Sequence, residues 1–549
     1  MLLSAPPRRT VDLCIVGAGP VGMSVALEAR RLGLDVLLLE AGGRRSDGAV
    51  AELQEGMVTH PPHHAPLSAG TSTGIGGTSW LWGGRCVPFE PVDFCERDHV
   101  AGSGWPITHD ELRRWYDRAA DYLQCGSDFE AGEPGWPDLD PVVVRQQERW
   151  SRSPQLGRSL GAMVVADDAI SVLSTATVTD LDAGPDGSVR AARVRWNGAE
   201  HAVAARRFVL AGGGLRTTRL LLQVQRRQPS IAGGPDGPLG RYYAGHLNGT
   251  IADVRLTSAQ YFADLDFRRD SDGTFVRRRL TLTPDVQRDE KLLNIAFYLG
   301  NPPFGDPRHR SGTLSALFFA MHLPWVGRRI ARPETREHNR ALGWANCRRH
   351  LLNIARQPLG TLTGLGRILW RRFFSTPRLP VFVARNPSGV YALRFHAEQT
   401  CRPENRITLR PDRQADNLPG VDVVMEYSPQ DIESVLRAHA VLDERLQASG
   451  RGGLIYHHAA AERFASVQEQ AVDGYHQIGS TRMSADPATG VVDTDGKVHG
   501  LTNLYVASSS VFPTAGEANP TFTAVCLGVR LAHHLADAAT VTDSRQEAA

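Results

Sequence analysis

The chain is nearly without lysine: Lys291 and Lys497 are the only two among 61 basic residues, and every other cation is arginine. The simplest reading is codon composition in a GC-rich genome. Charge of one sign is also missing, since the net charge is +2 with 22% charged residues, so no concentrated basic face for nucleic acid is indicated. Seven cysteines (14, 86, 95, 125, 347, 401 and 526) are scattered without a Cys-x-x-Cys pair, and their odd number argues against a disulfide framework or a zinc site. No metal is expected, and a reducing cytoplasm fits. The beginning MLLSAPPRRT lacks an apolar segment of signal-peptide length, and no uninterrupted run of eighteen apolar residues occurs anywhere. A chain with no transmembrane segment is expected. With 549 residues it is too long for one simple core, so two domains, interleaved in sequence, are the expectation.

What is present begins at Val11 with VDLCIVGAGPVGMSVALEARRLGLDVLLLEAGG. The apolar run 11 to 16 suits a buried parallel strand, and 21 to 32 carries apolar residues at helical spacing. Between them, Gly17 permits a tight turn, Gly19 lets the backbone approach a pyrophosphate, and Gly22 lets the helix press onto the sheet. The phosphate then sits on a helix N-terminus. A second strand, 36 to 39, ends in Glu40, 18 residues after Gly22, where a carboxylate can accept from a ribose diol. A bare G-x-G-x-x-G is weak evidence; in this strand and helix context it predicts a dinucleotide site. NAD and FAD both fit this stretch. A second unit of the same type is absent, so the one dinucleotide must carry out the redox step itself.

Further motifs follow in order: GIGGTSWLWGGRC (74 to 86), GWPITHDELRRWYDRA (104 to 119), RRFVLAGGGLRTTRLLL (206 to 222), GYHQIGSTRM (474 to 483), and the segment 490 to 537 containing NLYVASSSVFPTAGEANPTFTAVCLGVRLAHHL. Together they resemble the glucose-methanol-choline oxidoreductases, FAD-dependent alcohol oxidases and dehydrogenases, and within them the pyranose oxidase-like branch. The resemblance implies an α/β chain with an α+β second domain: a Rossmann-type FAD-binding domain with an interleaved substrate domain of mixed sheet plus helices. The implied division is 1–250 for the first part of the FAD domain (flavin loop 70–95), 251–465 for the substrate domain, 466–540 for the C-terminal FAD part, and 541–549 as a tail.

The resemblance further implies that Gly76, Gly77, Thr78 and Ser79 wrap the flavin, that Val178 meets the adenine through its backbone, and that Gly212 to Gly214 turn beside the cofactor. A plain strand-to-helix connection also explains the last glycines. Trp80 and Trp82 are expected as packing under the loop, and His246 as structural. Where some pyranose oxidases carry a histidine bonded covalently to flavin, this chain has Leu81, and no histidine occurs from 65 to 98, so FAD is expected to be non-covalent.

Oxidising an alcohol means removing a hydroxyl proton and passing hydride from carbon to flavin N5, which needs a base with a pKa near neutrality. Alone, His476 in its loop could as well hold a turn. The resemblance places His476 as base and Asn519 as the second residue facing N5. Asn519 also reads as an N-cap with Pro520 at N1. Pro520 and Thr521 begin a helix whose positive end, aimed at the flavin, would stabilise reduced flavin. His499 reads as a turn residue, and His533 and His534 as cations ending the last helix. Ser508 stands where the family usually has an acid.

The arginine-rich insertion 328–378 offers two readings: a solvated helical flap or oligomer contact, or an amphipathic interfacial surface. The expected function is oxidation of a CH-OH group on a sugar, a glycoside or an amino-sugar natural product, such as an aminoglycoside tailoring step, with molecular oxygen or another electron acceptor. A lyase that keeps FAD only as scaffold, of hydroxynitrile lyase type, is the rival, together with oxidation of a non-sugar alcohol.

Overall fold

The computed structural model describes residues 1–549 apart from 46–56, 131–135, 137–138, 145–146, 324–342, 416–417 and 548–549. The first sheet is built as the apolar runs dictate. Val11–Val16 pairs in parallel with Val36–Leu39 on one side and with the end of Ala199–Leu210 on the other. Ile170–Leu173 extends the first side and Leu504–Val506 the second. All four residues of Val36–Leu39 are buried, as a strand covered on both faces requires. Chain order reverses between Val11–Val16 and Ala199–Leu210, and at such a switch point the ends of parallel strands open a crevice. The helix Pro20–Arg31 covers one face and packs against the long C-terminal helix Thr521–Glu547. That helix continues through the region assigned to a tail, so residues 541–547 belong to it. Likewise His533 and His534 lie inside the helix and do not end it: His533 Nε2 meets buried Glu28 at 2.9 Å, and His534 faces Asp495.

The second sheet is antiparallel and six-stranded, in the spatial order Gly452–Tyr456, His246–Leu256, Val390–Glu398, Ile295–Gly300, Leu280–Leu282, Val142–Val143. A boundary at 250 therefore cuts the strand His246–Leu256, and Val142–Val143 comes from the N-terminal third of the chain. Along Val390–Glu398 the side chains alternate: Leu393, Phe395 and Ala397 join an apolar core with the helix Pro429–Ala448, while His396 and Glu398 turn to the opposite face. That opposite face meets the first domain. Among the described residues no helix is long and apolar enough to cross a membrane.

Candidate active site

A cleft runs from the switch point of the first sheet to His476. It is lined by the turn Val16 to Gly19, by Glu40, by Gly77 and Thr78 of the flavin loop, by Val178, by Gly212 to Gly214, and by Pro520 and Thr521. Gly17 has φ +107°, and a Cβ there would stand 2.7 Å from the Ala211 carbonyl oxygen. Only glycine closes that turn. A Cβ on Gly19, by contrast, would meet nothing within 4 Å, so its bare backbone faces open cleft. Glu40 is held by three backbone amides: Ala18 donates to Oε2 at 2.8 Å, and Gly42 and Gly74 each donate to Oε1 at 2.9 Å. Oε1 is thereby filled by two donors, while Oε2 keeps lone-pair capacity for a diol hydroxyl. These features fit a dinucleotide laid across the strand ends.

Gly76 and Ser79, expected to wrap the flavin, do not line the cleft, and neither does Gly22, counted with the cofactor turn but expected to let the helix press onto the sheet. Gly22 gives way to the Gly17 carbonyl, Gly76 lies against Gly157 and the Trp80 ring, and Ser79 Oγ donates to the Gly76 carbonyl at 2.6 Å. They shape the turn and loop from behind. Trp80 Nε1 donates to the Ile75 carbonyl at 2.9 Å and Trp82 Nε1 to that of Pro154, both as packing residues. Ser508 lines the cleft while its Oγ caps Ser510 N at 3.3 Å, and His499 Nε2 lies 2.9 Å from the Ser484 carbonyl in its turn.

At the far end, the structure brings His476 and Asn519 into direct contact. Asn519 Nδ2 lies 2.9 Å from His476 Nε2. It is not the helix cap: the Pro520 carbonyl accepts from Ala524 N at 2.9 Å, so Pro520 occupies that position and the asparagine side chain is free to face the histidine. Asn519 Oδ1 is buried with no hydrogen-bond partner. On the other edge of the ring, His476 Nδ1 lies 2.9 Å from Asp473 Oδ2. A carboxylate only accepts, so Nδ1 carries the proton and Nε2 presents a lone pair.

Asp473 was not singled out from the sequence, although its position three residues before His476 was a usable signal. Backbone N–H groups of Gly474, Tyr475 and His476 donate to its Oδ1 at 2.7, 2.8 and 3.2 Å, and His246 N donates to Oδ2 at 2.7 Å. Burial acts to raise its pKa, yet the neighbouring His476 and His246 and the bonds they make hold the carboxyl well below the usual range. It is a fixed anion. His246 Nδ1 sits 3.0 Å from His476 Nδ1, and the His396 ring stacks on His246 at 4.4 Å. Burial pushes both His246 and His396 down, so they stay neutral. Candidate ligand nitrogens of His246, His396 and His476 lie within 4.8 Å of one another, but both nitrogens of His476 and Nδ1 of His396 already have partners.

A layer of paired charges holds this cluster from below. His396 Nδ1 donates to the Glu517 carbonyl, and the Glu517 carboxyl meets fully buried Arg279, which also reaches Glu90 at 3.2 Å. Burial pushes Glu517 up to about 7 against the pull of Arg279. Arg97 grips Glu398 with two bonds of 2.7 and 2.6 Å, and Glu148 lies between Arg85 and Arg277. No group here is near the one it pairs with in sequence, which is why sequence reading missed them.

A Rossmann-type sheet with a glycine turn at its switch point, and a histidine paired with asparagine at the far end of the same cleft, define a flavin-dependent oxidoreductase. Residues 401–528 match the family model described as GMC oxidoreductase. Over nearly its whole length it is similar to paromamine 6'-oxidase of Streptomyces fradiae, at 23% identity over 96% of this chain and 92% of the relative. The match to 2-methyl-1,2-propanediol dehydrogenase of Mycolicibacterium austroafricanum is also 23%, covering 95% of each. A solved fungal aryl-alcohol oxidase shares the fold, with a TM-score of 0.52 and 14% identity over 97% of this chain and 100% of that one. FAD is accordingly the cofactor.

Proposed function

We propose that the protein oxidises a CH-OH group of a sugar, glycoside or amino-sugar substrate to a carbonyl, with His476 as the base and Asn519 orienting the hydroxyl. The observation that carries this reading is the orientation of His476: Asp473 fixes the Nδ1 proton, and Nε2 faces Asn519 beside the cleft. A substrate hydroxyl entering there exchanges one bond for two. Its O–H donates to Nε2, and the Asn519 amide donates to its oxygen, stabilising the charge that develops as the proton leaves. Proton loss makes His476 cationic, and the Asp473 anion lowers the cost of that charge. When bound, FAD supplies the acceptor for the hydride from the carbinol carbon. Molecular oxygen or another electron acceptor then takes the two electrons.

The C-terminal helix starts at the cleft with Pro520 and Thr521, so its positive end favours negative charge on a cofactor there. FAD is held non-covalently: Thr78 and Gly77 contact the cleft, and Leu81, at the position of the family's linking histidine, offers no nucleophile. Sugar-like substrates are supported by the full-length similarity to a paromamine oxidase.

The test is anaerobic mixing of purified flavoprotein with sugars, glycosides and amino sugars. Flavin bleaching by one of them is expected, and admission of air then times reoxidation and separates oxidase from dehydrogenase. A flavin that stays oxidised while an alcohol is cleaved would instead identify a lyase. His476→Ala is expected to slow bleaching by roughly two to four orders of magnitude. Acid precipitation is expected to release the flavin into solution.

A further inference from the structure

The insertion that follows the helix Gly312–His322 is built inside out. Its two described helices, Trp344–Arg356 and Pro358–Leu369, turn polar side chains toward the protein. The buried residues of the first are His350 and Asn353, and the buried residue of the second is Thr361. His350 Nδ1 lies 3.0 Å from Ser315 Oγ, and Asn353 Nδ2 donates to the Pro307 carbonyl at 2.9 Å and to Ser315 Oγ at 3.2 Å. Close approach replaces apolar packing here: a Cβ on Gly312 would overlap Thr361 Oγ1, and one on Gly364 would overlap Thr313 Oγ1.

Leu365 and Ile368 pack on the small cluster of Leu314, Leu317 and Ala384, but most of the large apolar side chains point away from the protein. Trp344 is 81% exposed and Leu359 77%, with Leu351, Leu352, Leu362, Trp370 and Phe374 beside them. Nine of the sixteen exposed large hydrophobics among the described residues lie within 343–374. An amphipathic helix on a water-soluble core does the reverse, and an exposed patch of this kind marks a surface that another phase or partner covers.

Charge selects the occupant. Residues 343–397 contain nine arginines and no aspartate or glutamate. Among the described residues no carboxylate pairs with the exposed Arg348, Arg349 or Arg356. A second copy of the chain meeting this face about a two-fold axis would set arginine against arginine. An anionic bilayer supplies both missing complements: acyl chains for the Trp, Leu and Phe side chains, and phosphates for guanidinium groups, which bind them in bidentate fashion.

We propose that the helices Trp344–Arg356 and Pro358–Leu369, with the turn 370–374, form an interfacial membrane-docking face that lies flat on anionic lipid without spanning it. The inference stands apart from the assignment of the redox site. The test uses the full-length FAD-loaded protein sedimented with vesicles of phosphatidylcholine alone or of phosphatidylcholine with phosphatidylglycerol, at low and high salt. Binding to the anionic vesicles at low salt is expected, weakened by salt and at least about tenfold weaker on phosphatidylcholine alone, because surface electrostatics are screened. Leu359→Glu with Leu362→Glu is expected to reduce the bound fraction about tenfold or more while leaving the flavin spectrum and turnover of a soluble substrate unchanged. Should that variant lose flavin, Arg348→Glu with Arg349→Glu tests the electrostatic half and is expected to abolish the preference for anionic vesicles. Absence of sedimentation with anionic vesicles at low salt, or binding undiminished in the leucine variant, would overturn the proposal. So would light scattering in which the leucine substitutions convert a dimer to a monomer, since the face would then be an interface between copies.

Discussion

The active-site layer and the 343–374 insertion reverse each other's burial. Around His476, charged and polar groups are fully enclosed: Arg279, Glu517, Asp473 and His396 all lie at 5% exposure or less. In the insertion, tryptophan and leucine stand in the open while His350 and Asn353 are enclosed. The difference lies in what compensates each arrangement. Every buried charge near the site has an opposite partner or several backbone donors, as burial requires. Among the described residues the exposed apolar face has no counterpart, and the proposed lipid surface would supply one from outside the chain.

The sharpest way to break the comparison is to leave one buried charge alone. Arg279→Ala strands Glu517 beneath the Asn519 loop and is expected to cost about 3–5 kcal/mol in denaturant unfolding. Next is Asp473→Asn, which keeps the shape but can no longer act as an anion for the His476 proton. It is expected to lower the rate of flavin reduction about 10- to 1,000-fold with little change in substrate KM, read by anaerobic stopped flow. A third effect lies in pH. Glu517 titrates near 7 in the folded protein against an ordinary 4.5, so between these values the folded state keeps a proton that the unfolded chain has lost. Its contribution to stability is therefore complete below about 4.5 and declines as pH rises through 7, by on the order of 3 kcal/mol. Glu517→Gln should flatten that decline, measured as melting temperature against pH. The smallest effect belongs to the other region: Leu359→Glu is expected to move unfolding free energy by no more than about 0.5 kcal/mol, because its side chain is 77% exposed.

The parts of the molecule that could be read in advance are those written in contiguous sequence. Val11 to Glu40 contains a strand, a turn, a helix and a second strand, each required by its own composition, and the chain folds there as that composition dictates. The layer that holds His476 was not legible because its members come from four separated strands and loops, and only the pairing of His246–Leu256 with Val390–Glu398 brings His246 and His396 together. Asn519 was legible as a residue but not as a geometry: its side chain fits a cap or a partner equally well until the Pro520 carbonyl is seen to begin the helix. His533 and His534 were misjudged because their helix runs on to Glu547, past the point where apolar spacing fades. In the insertion, the arginines could be counted but not the direction of the leucines, since periodicity shows that two faces differ and not which one faces inward.

The bond between Asn519 Nδ2 and His476 Nε2 has one more consequence. In the resting site the base is already occupied by an internal donor, so a visitor must outbid an amide that never has to diffuse in. Water can do this only by paying twice, once for leaving bulk and once for separating the pair. On the proposed assignment, a carbinol held by the rest of its structure separates them with that binding energy and uncovers the lone pair. The asparagine is then a latch that the reactive hydroxyl itself opens.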